Sequence, residues 1–402
     1  MLNFKDLVFT EENEIIKVII YQYFYKEFDK SELFELGEFE IKEGSLKIIG
    51  LDENATIKKF MRFFGKYKKD LRYILNGNRV VYVDEDLGLP LMGLNFLGIT
   101  DKGSEMIEIK PITNCNIDCS FCSVAEGCSS KKKQDFVIDV DYLINETNDL
   151  LEFKQAKNMS LWVNPHGEPF LYDKLIEYCD EMLKNEFVKE VHIVTNATLL
   201  NKKKIDELIK IQGNKKIVLS VSLSSFSEES AKKLMGKNYN LKLVLSNLKY
   251  ALSKLNIEIT PVWLKGVNDN DIGKIVEFAK ENKLKCSIQK FCVNKNGRNP
   301  VKEIEWKEFF LDLKELEDKI NYSLTEKLEK INETKTLPEI VHKNEVVDVE
   351  IVGLGRKNEM IGIIEIDGTF RSCTVLSYFS NKKRVKCKVV KSKNNLIVVK
   401  CF

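Results

Sequence analysis

The sequence predicts an α/β protein, a partial (β/α)6 barrel set between an N-terminal α+β domain and a C-terminal small β-barrel of OB type. Three observations predict it. From Met106 to about residue 300, short apolar runs alternate with amphipathic helical patterns, as in a parallel sheet covered by helices. The first hundred residues mix strand and helix signals without that alternation. From Glu339 to Phe402 only short β runs occur, broken by Gly and Asn, which suits a small closed barrel. The expected boundaries are 1–105, 106–300, a helical linker over 301–338, and 339–402.

Composition sets the outer limits. With 402 residues, 44% hydrophobic and 31% charged, the chain reads as an ordinary globular protein of two or three domains. It has no run of about 18 uncharged apolar residues, so no membrane span is expected. The start, "MLNFKDLVFTEEN", lacks the basic-then-apolar order of a signal peptide. A cytoplasmic location is the expectation. In that reducing setting the ten cysteines read as metal or redox ligands before disulfides.

The N-terminal region predicts a hairpin turning at Glu43-Gly44, a helix over Ala55–Leu75 and a strand in "NRVVYVDED". None carries a chemical motif. The central region predicts strands at Met106–Ile112, Asn158–Asn164, Glu190–Thr195, Ile217–Leu223, Ile257–Trp263 and Lys285–Phe291. Helical patterns fall between them at Val140–Phe153, Tyr172–Asn185, Lys202–Ile211 and Asp271–Asn282. Right-handed crossovers curl such a sheet toward a barrel, whose working ends are the C-terminal ends of its strands. Glu303–Glu333 predicts one long charged helix with Trp306, Phe309, Phe310, Leu313 and Leu316 packed along one face. The closing stretch, "NKKRVKCKVVKSKNNLIVVKCF", holds eight Lys or Arg and no acid. With Phe370, Tyr378 and Phe379 it suits phosphate contacts and base stacking; a merely solvated charged face is the plainer alternative.

"CNIDCSFC" follows the first barrel strand and places Cys115, Cys119 and Cys122 at spacings of four and three. Structural zinc sites use four protein ligands, usually as two separated pairs. No second pair lies at the expected distance, although Cys128 is a nearby fourth candidate. On spacing alone an iron–sulfur cluster ranks ahead of zinc, and inert buried cysteines rank last. The second strand ends in "NPHGEP", the third in "TNAT" and the fourth in "SVSLSS". Each is weak alone; in order, at the ends of consecutive strands, they form a specific set.

With these motifs, Met106 to about Arg298 resembles the radical S-adenosylmethionine (SAM) enzymes. The resemblance implies that Cys115, Cys119 and Cys122 bind a 4Fe–4S cluster, with Phe121 as the usual aromatic before the third cysteine. It implies that Gly167 and Glu168 receive the methionine part of SAM and that Asn196 and Ser222 approach it. His166 stands where a glycine is usual, Ala197 where "TNGT" would have glycine, and Ser224 where aspartate is frequent. "PVWLKGVNDNDIGKIVEFA" and "SIQKFCVNKNGRNP" resemble an archaeal-type group of these enzymes that ends in a TRAM-like domain, a likeness over about three quarters of the chain. A low-potential electron donor is implied as a partner.

No catalytic acid, base or nucleophile stands out. Cys286 and Cys292 fall on one face by strand parity and could join Cys373, Cys387 or Cys401 at an auxiliary cluster, or be ordinary buried thiols. His192 and His342 read as structural, His166 as placed in the site, and Gln289 and Lys290 as facing SAM, substrate or neighbours. The expected function is radical modification of RNA, most of all tRNA, delivered by 339–402. The alternatives are a radical SAM enzyme for a small metabolite, cofactor precursor or peptide, and a non-enzymatic RNA-binding protein that carries a cluster or zinc.

Overall fold

A computed structural model describes residues 6–325, 331–378 and 381–402; Phe379, expected to stack on bases, lies outside them. The N-terminal region builds an antiparallel meander of β1 (Leu7–Glu12), β2 (Ile15–Ile20) and β3 (Phe24–Asp29), continued by β4 (Leu71–Tyr73) and β5 (Arg79–Val83). The hairpin at Glu43-Gly44 is present, joining Phe39–Lys42 to Ser45–Ile48. The expected helix over Ala55–Leu75 is shorter: α1 spans Glu53–Phe64, capped by Asp52, whose carboxylate accepts from the Ala55 N–H at 2.7 Å. One 3-10 turn follows before the chain extends into β4. Burying Leu71 and Tyr73 alternately on the sheet outweighs their helical propensity.

The central sheet has seven strands. β6 (Gly98–Asp101) runs antiparallel at one edge beside β7 (Met106–Lys110). β8 (Gln134–Ile138), a strand absent from the sequence expectation, leaves this sheet and pairs in parallel with β5 of the first. The parallel series continues through β9 (Met159–Val163), β10 (Val188–Thr195), β11 (Lys216–Val221), β12 (Asn256–Ile259) and β13 (Lys285–Cys286). The crossovers are α2 (Val140–Lys154), α3 (Leu175–Lys184), α4 (Lys202–Gln212), α5 (Glu228–Met235), α6 (Leu241–Ala251) and α7 (Asp269–Glu281). Strands such as β9, "MSLWV", are almost wholly buried, as parallel strands covered on both faces must be.

The last two expected strands are each broken. Pro261 has no N–H to continue a ladder, so β12 ends at Ile259, and Val262–Trp263 pairs separately with Gln289–Lys290. The break at Ser287–Ile288 also ends the parity that would have placed Cys286 and Cys292 on one face. Beyond the sheet, α8 covers only Trp306–Ile320 and stops at Asn321 in the left-handed conformation, φ 53°. Of its expected packing face, Phe309 and Leu313 are buried, while Trp306 and Phe310 stack on each other half-exposed.

The C-terminal region closes a five-stranded barrel from β14 (Val346–Leu354), β15 (Met360–Ile366), β16 (Thr369–Leu376), β17 (Arg384–Lys393) and β18 (Leu396–Cys401), in the order β14-β15-β16-β18-β17. Its own core includes Val349, Ile364, Val375, Val389 and Val399. A larger core is shared without interruption by the N-terminal sheet and the central sheet. The small barrel docks on the segment before β6. There Ser372 donates N–H and Oγ–H to the Met92 carbonyl, both at 2.9 Å, and Ile397 donates to the Gly93 carbonyl at 3.0 Å. Gly93 sits at φ +131°, and a Cβ there would lie 1.7 Å from the Ser372 oxygen. Only glycine permits this approach.

Candidate active site

The C-terminal ends of the parallel strands surround a cavity of about 660 Å³. Cys115, Cys119, Phe121, Cys122, Gly167, Glu168, Asn196 and Ser222, the eight residues expected from the motifs, all line it. Cys128, the fourth cysteine of the loop, does not. Cys292, Gln289 and Lys290 line it as well, whereas Cys286 does not. Cys373, Cys387 and Cys401 lie in the small barrel, where the Cys387 and Cys401 sulfurs stand 2.8 Å apart.

The cysteine loop is held from several sides. Arg298 donates from Nη1 to the Cys119 carbonyl at 3.0 Å and to the Glu126 carbonyl at 2.8 Å. Its Nη2 reaches Asp118 at 3.2 Å and Ser129 Oγ at 2.9 Å. A planar fork with five N–H groups can bind four acceptors at once; an ammonium cannot. Met235, from the end of α5, brings its sulfur within 4.0 Å of Cys119 Sγ and accepts from Ser224 Oγ at 3.3 Å. That gives Ser224 a packing duty.

Glu168 is the anchor of the opposite wall. Its carboxylate accepts from Thr195 Oγ1 at 2.6 Å, from the Asn196 N–H at 2.8 Å and from the Phe170 N–H at 3.1 Å. Burial pushes its pKa up to about 7, with these three hydrogen bonds pulling the other way. Gly167 allows the turn before it, because a Cβ there would meet the Asn114 carbonyl at 1.9 Å. The Glu168 N–H donates to that same carbonyl at 2.8 Å. Asn196 donates to Asn116 Oδ1 at 3.1 Å, and Asn116 donates to Thr198 Oγ1 at 2.8 Å, tying the cysteine loop to the end of β10. Ala197 adopts the left-handed conformation, φ 58°, where the glycine of "TNGT" would sit without strain.

A buried ion network lies behind the loop. Lys132 pairs with Glu126 and Asp135, and Glu126 also pairs with Arg356, which the small barrel contributes from its β14–β15 turn. Arg356 Nη1 lies 2.9 Å from His166 Nδ1. Guanidinium can only donate, so Nδ1 is the acceptor and the neutral ring carries its proton on Nε2. Burial first, then nearby Lys110, lowers the His166 pKa to about 4. His192, by contrast, stacks on Trp162 with centroids 4.0 Å apart, a packing role.

The thiols fit a cluster. Among the described residues no three His, Cys, Asp or Glu side chains converge on a single-ion site. Cys115, Cys119 and Cys122 line one cavity, and three thiols are a donor set of the kind an iron–sulfur cluster takes. Burial raises the Cys115 and Cys119 thiols, and a neighbouring thiol raises each further, Cys119 beside Cys115 and Cys122 beside Cys119; a bound cation would reverse this by stabilising the thiolates. Asn114, fully buried directly before Cys115, leaves both amide atoms without a protein partner. Arg298, Arg356, Lys132 and Asn116 were missing from the sequence expectation. Asn116 lies within "CNIDCSFC" and Arg298 within "SIQKFCVNKNGRNP"; Lys132 and Arg356 belong to neither motif.

A family model described as the radical SAM superfamily matches residues 109–279. The chain is similar to "Uncharacterized protein MJ0103" of Methanocaldococcus jannaschii, 28% identical over 369 residues and 82% of each chain. It is also similar to GTP 3′,8-cyclase of Staphylococcus epidermidis, 24% identical over 229 residues, or 54% of this chain and 59% of the cyclase. Among solved structures, Streptococcus suis SuiB aligns with a TM-score of 0.44 at 17% identity, covering 79% of this chain and 68% of SuiB.

Proposed function

We propose that this chain, a member of the radical SAM superfamily, uses its chemistry to modify a nucleotide unit of RNA, tRNA above all. Its cofactors are a 4Fe–4S cluster and SAM. When bound, they supply reductive cleavage of SAM to methionine and a 5′-deoxyadenosyl radical that abstracts one substrate hydrogen. An electron donor is required for this.

The chain's own residues hold and exclude. Cys115, Cys119 and Cys122 offer three thiolates, and Arg298 fixes the backbone that carries them. Glu168 keeps the ends of β9 and β10 together and offers a buried carboxyl to the amino group of SAM. A cation brought there would draw off the proton that burial otherwise retains near neutral pH. Asn196 and Ser222 line the same wall. The small barrel covers the mouth with Lys391 and Leu396, which keeps bulk water from the reacting atoms.

The observation that carries the RNA reading is β17. Lys386 and Lys388 are exposed along its outer side, and Lys391 of the same strand lines the cavity. A phosphodiester backbone following this strand would deliver one nucleotide to the mouth. Reading the small barrel as TRAM-like agrees with this, and GTP 3′,8-cyclase, by its name, acts on a nucleotide. The same cover supports a second reading, a small phosphorylated metabolite held between the two barrels.

The test is mass spectrometry of tRNA nucleosides from cells with and without the gene. A nucleoside lost on deletion is expected; identical profiles would favour the second reading. In parallel, Lys386→Glu with Lys388→Glu should weaken tRNA binding by at least tenfold and flatten its dependence on log salt. The reconstituted, dithionite-reduced protein should release 5′-deoxyadenosine from SAM.

A further inference from the structure

A second cavity, of about 280 Å³, lies at the seam between the central barrel and the small barrel. It opens on the first, because Asn95, Val124, His166, Lys391 and Leu396 line both. Two amines reach it from the small barrel, Lys357 and Lys391. Among the described residues neither forms an ion pair. The one polar contact of Lys357 Nζ is a long one, 3.4 Å, to the Asn296 carbonyl. This is unusual in a chain whose other lysines near the mouth are neutralised: Lys102 and Lys110 by Glu108, and Lys290 by Glu303.

The placement of Lys391 is specific. Along β17 and β18, Val389 faces Val399 and both are buried inside the small barrel. Strict alternation would turn Lys391 inward too. A β-bulge at Val390 shifts the register so that Lys391 faces Val398 instead. The bulge thereby re-aims the lysine outward, toward the seam. The one carboxylate lining the seam cavity, Glu359, is turned to its own loop, where it accepts from the Arg356 N–H at 2.8 Å and the Lys357 N–H at 3.3 Å.

We propose that this seam cavity is an anion subsite that seats a phosphate of the substrate, on Lys357 and Lys391, while the reacting part of the molecule extends into the larger cavity. That the ligand is the substrate rests on the radical SAM reading above; that the site binds phosphate does not. Phosphate is the shared chemistry of an RNA backbone and a small phosphorylated metabolite.

The probe is inorganic pyrophosphate, titrated calorimetrically into the anaerobically reconstituted protein, with SAM binding measured separately on the same preparation. Lys357→Ala and Lys391→Ala should each raise the pyrophosphate Kd at least tenfold, and Lys391→Glu should abolish binding. Thermal midpoints should stay within a degree or two, since neither amine holds a structural ion pair, and this guards against simple unfolding. No binding by the wild-type protein at millimolar pyrophosphate, or equal binding by both alanine variants, would overturn the proposal. Competition against pyrophosphate separates the sources. Displacement by tRNA with a steep salt dependence supports a polymer, displacement by mononucleotides alone supports a small molecule, and displacement by neither overturns the substrate assignment. Pyrophosphate binding without SAM binding would leave this site standing and count against the radical reading; the converse would remove only this site.

Discussion

Glu168 shows how one side chain can be both structural and chemical. Three donors converge on it, yet burial still leaves its pKa near 7, above the roughly 4.3 of an unfolded glutamate. The folded chain therefore holds this proton more tightly than the unfolded chain. The group's contribution is complete below about pH 4.3 and is lost as pH rises through 7. Urea unfolding of the metal-free protein across pH 5–8 should show that decline, and Glu168→Gln should flatten it. The glutamine should also cost about 1–3 kcal/mol, because its amide nitrogen meets a buried N–H or hydroxyl where an oxygen stood. Parallel pH profiles for the two proteins would mean that Glu168 does not titrate in this range. The eight lining residues were legible beforehand because each belongs to a motif of a few consecutive residues. Arg356 was not: its partner His166 is 190 residues away, and nothing local to "GLGRKNE" signals the contact.

At the scale of elements, the misjudged strands and helices share a cause. Helical spacing over Ala55–Leu75 and Glu303–Glu333 was real, but Tyr73 was claimed by a sheet and Asn321 took a left-handed turn. β8 was missed because its partner, β5, lies some fifty residues earlier in the chain. The decisive contact between the barrels is the approach of Gly93 to Ser372. Gly93→Ala would add left-handed strain of about 1–2 kcal/mol and an overlap costing about 1–3 kcal/mol. Faster hydrogen exchange is expected across 346–376 and 384–401, with the central sheet still protected. Unchanged protection in the small barrel would show that this contact does not seat it.

At the scale of the whole molecule, the small barrel is joined to the cysteine loop by charge. Two cations, Lys132 and Arg356, and two carboxylates, Glu126 and Asp135, are enclosed together. Arg356→Met should cost about 3 kcal/mol, the low end for breaking a buried pair, since Lys132 still faces Glu126. It should also lower the iron retained per chain after desalting, because Glu126 donates its backbone N–H to Cys122 Sγ at 3.3 Å. Full iron retention with an unshifted unfolding midpoint would show that the network is dispensable.

The diversion of β8 into the N-terminal sheet bears on the order of assembly. The cysteine loop is strung between two sheets, so the first sheet cannot finish until residue 138 has left the ribosome, and the second waits for residue 286. The small barrel is different: all its strand pairings lie within residues 346–401, three of the five between consecutive strands, so it closes as a unit of its own only once β18 has been made. It therefore arrives last, as a finished cover. Between the emergence of β13 and that of β18 the thiols stand at an open mouth, which sets the interval in which iron and sulfide can enter unhindered. Chains stalled near residue 340 should acquire a cluster faster than refolded full-length protein, as the visible absorbance of each during reconstitution would reveal.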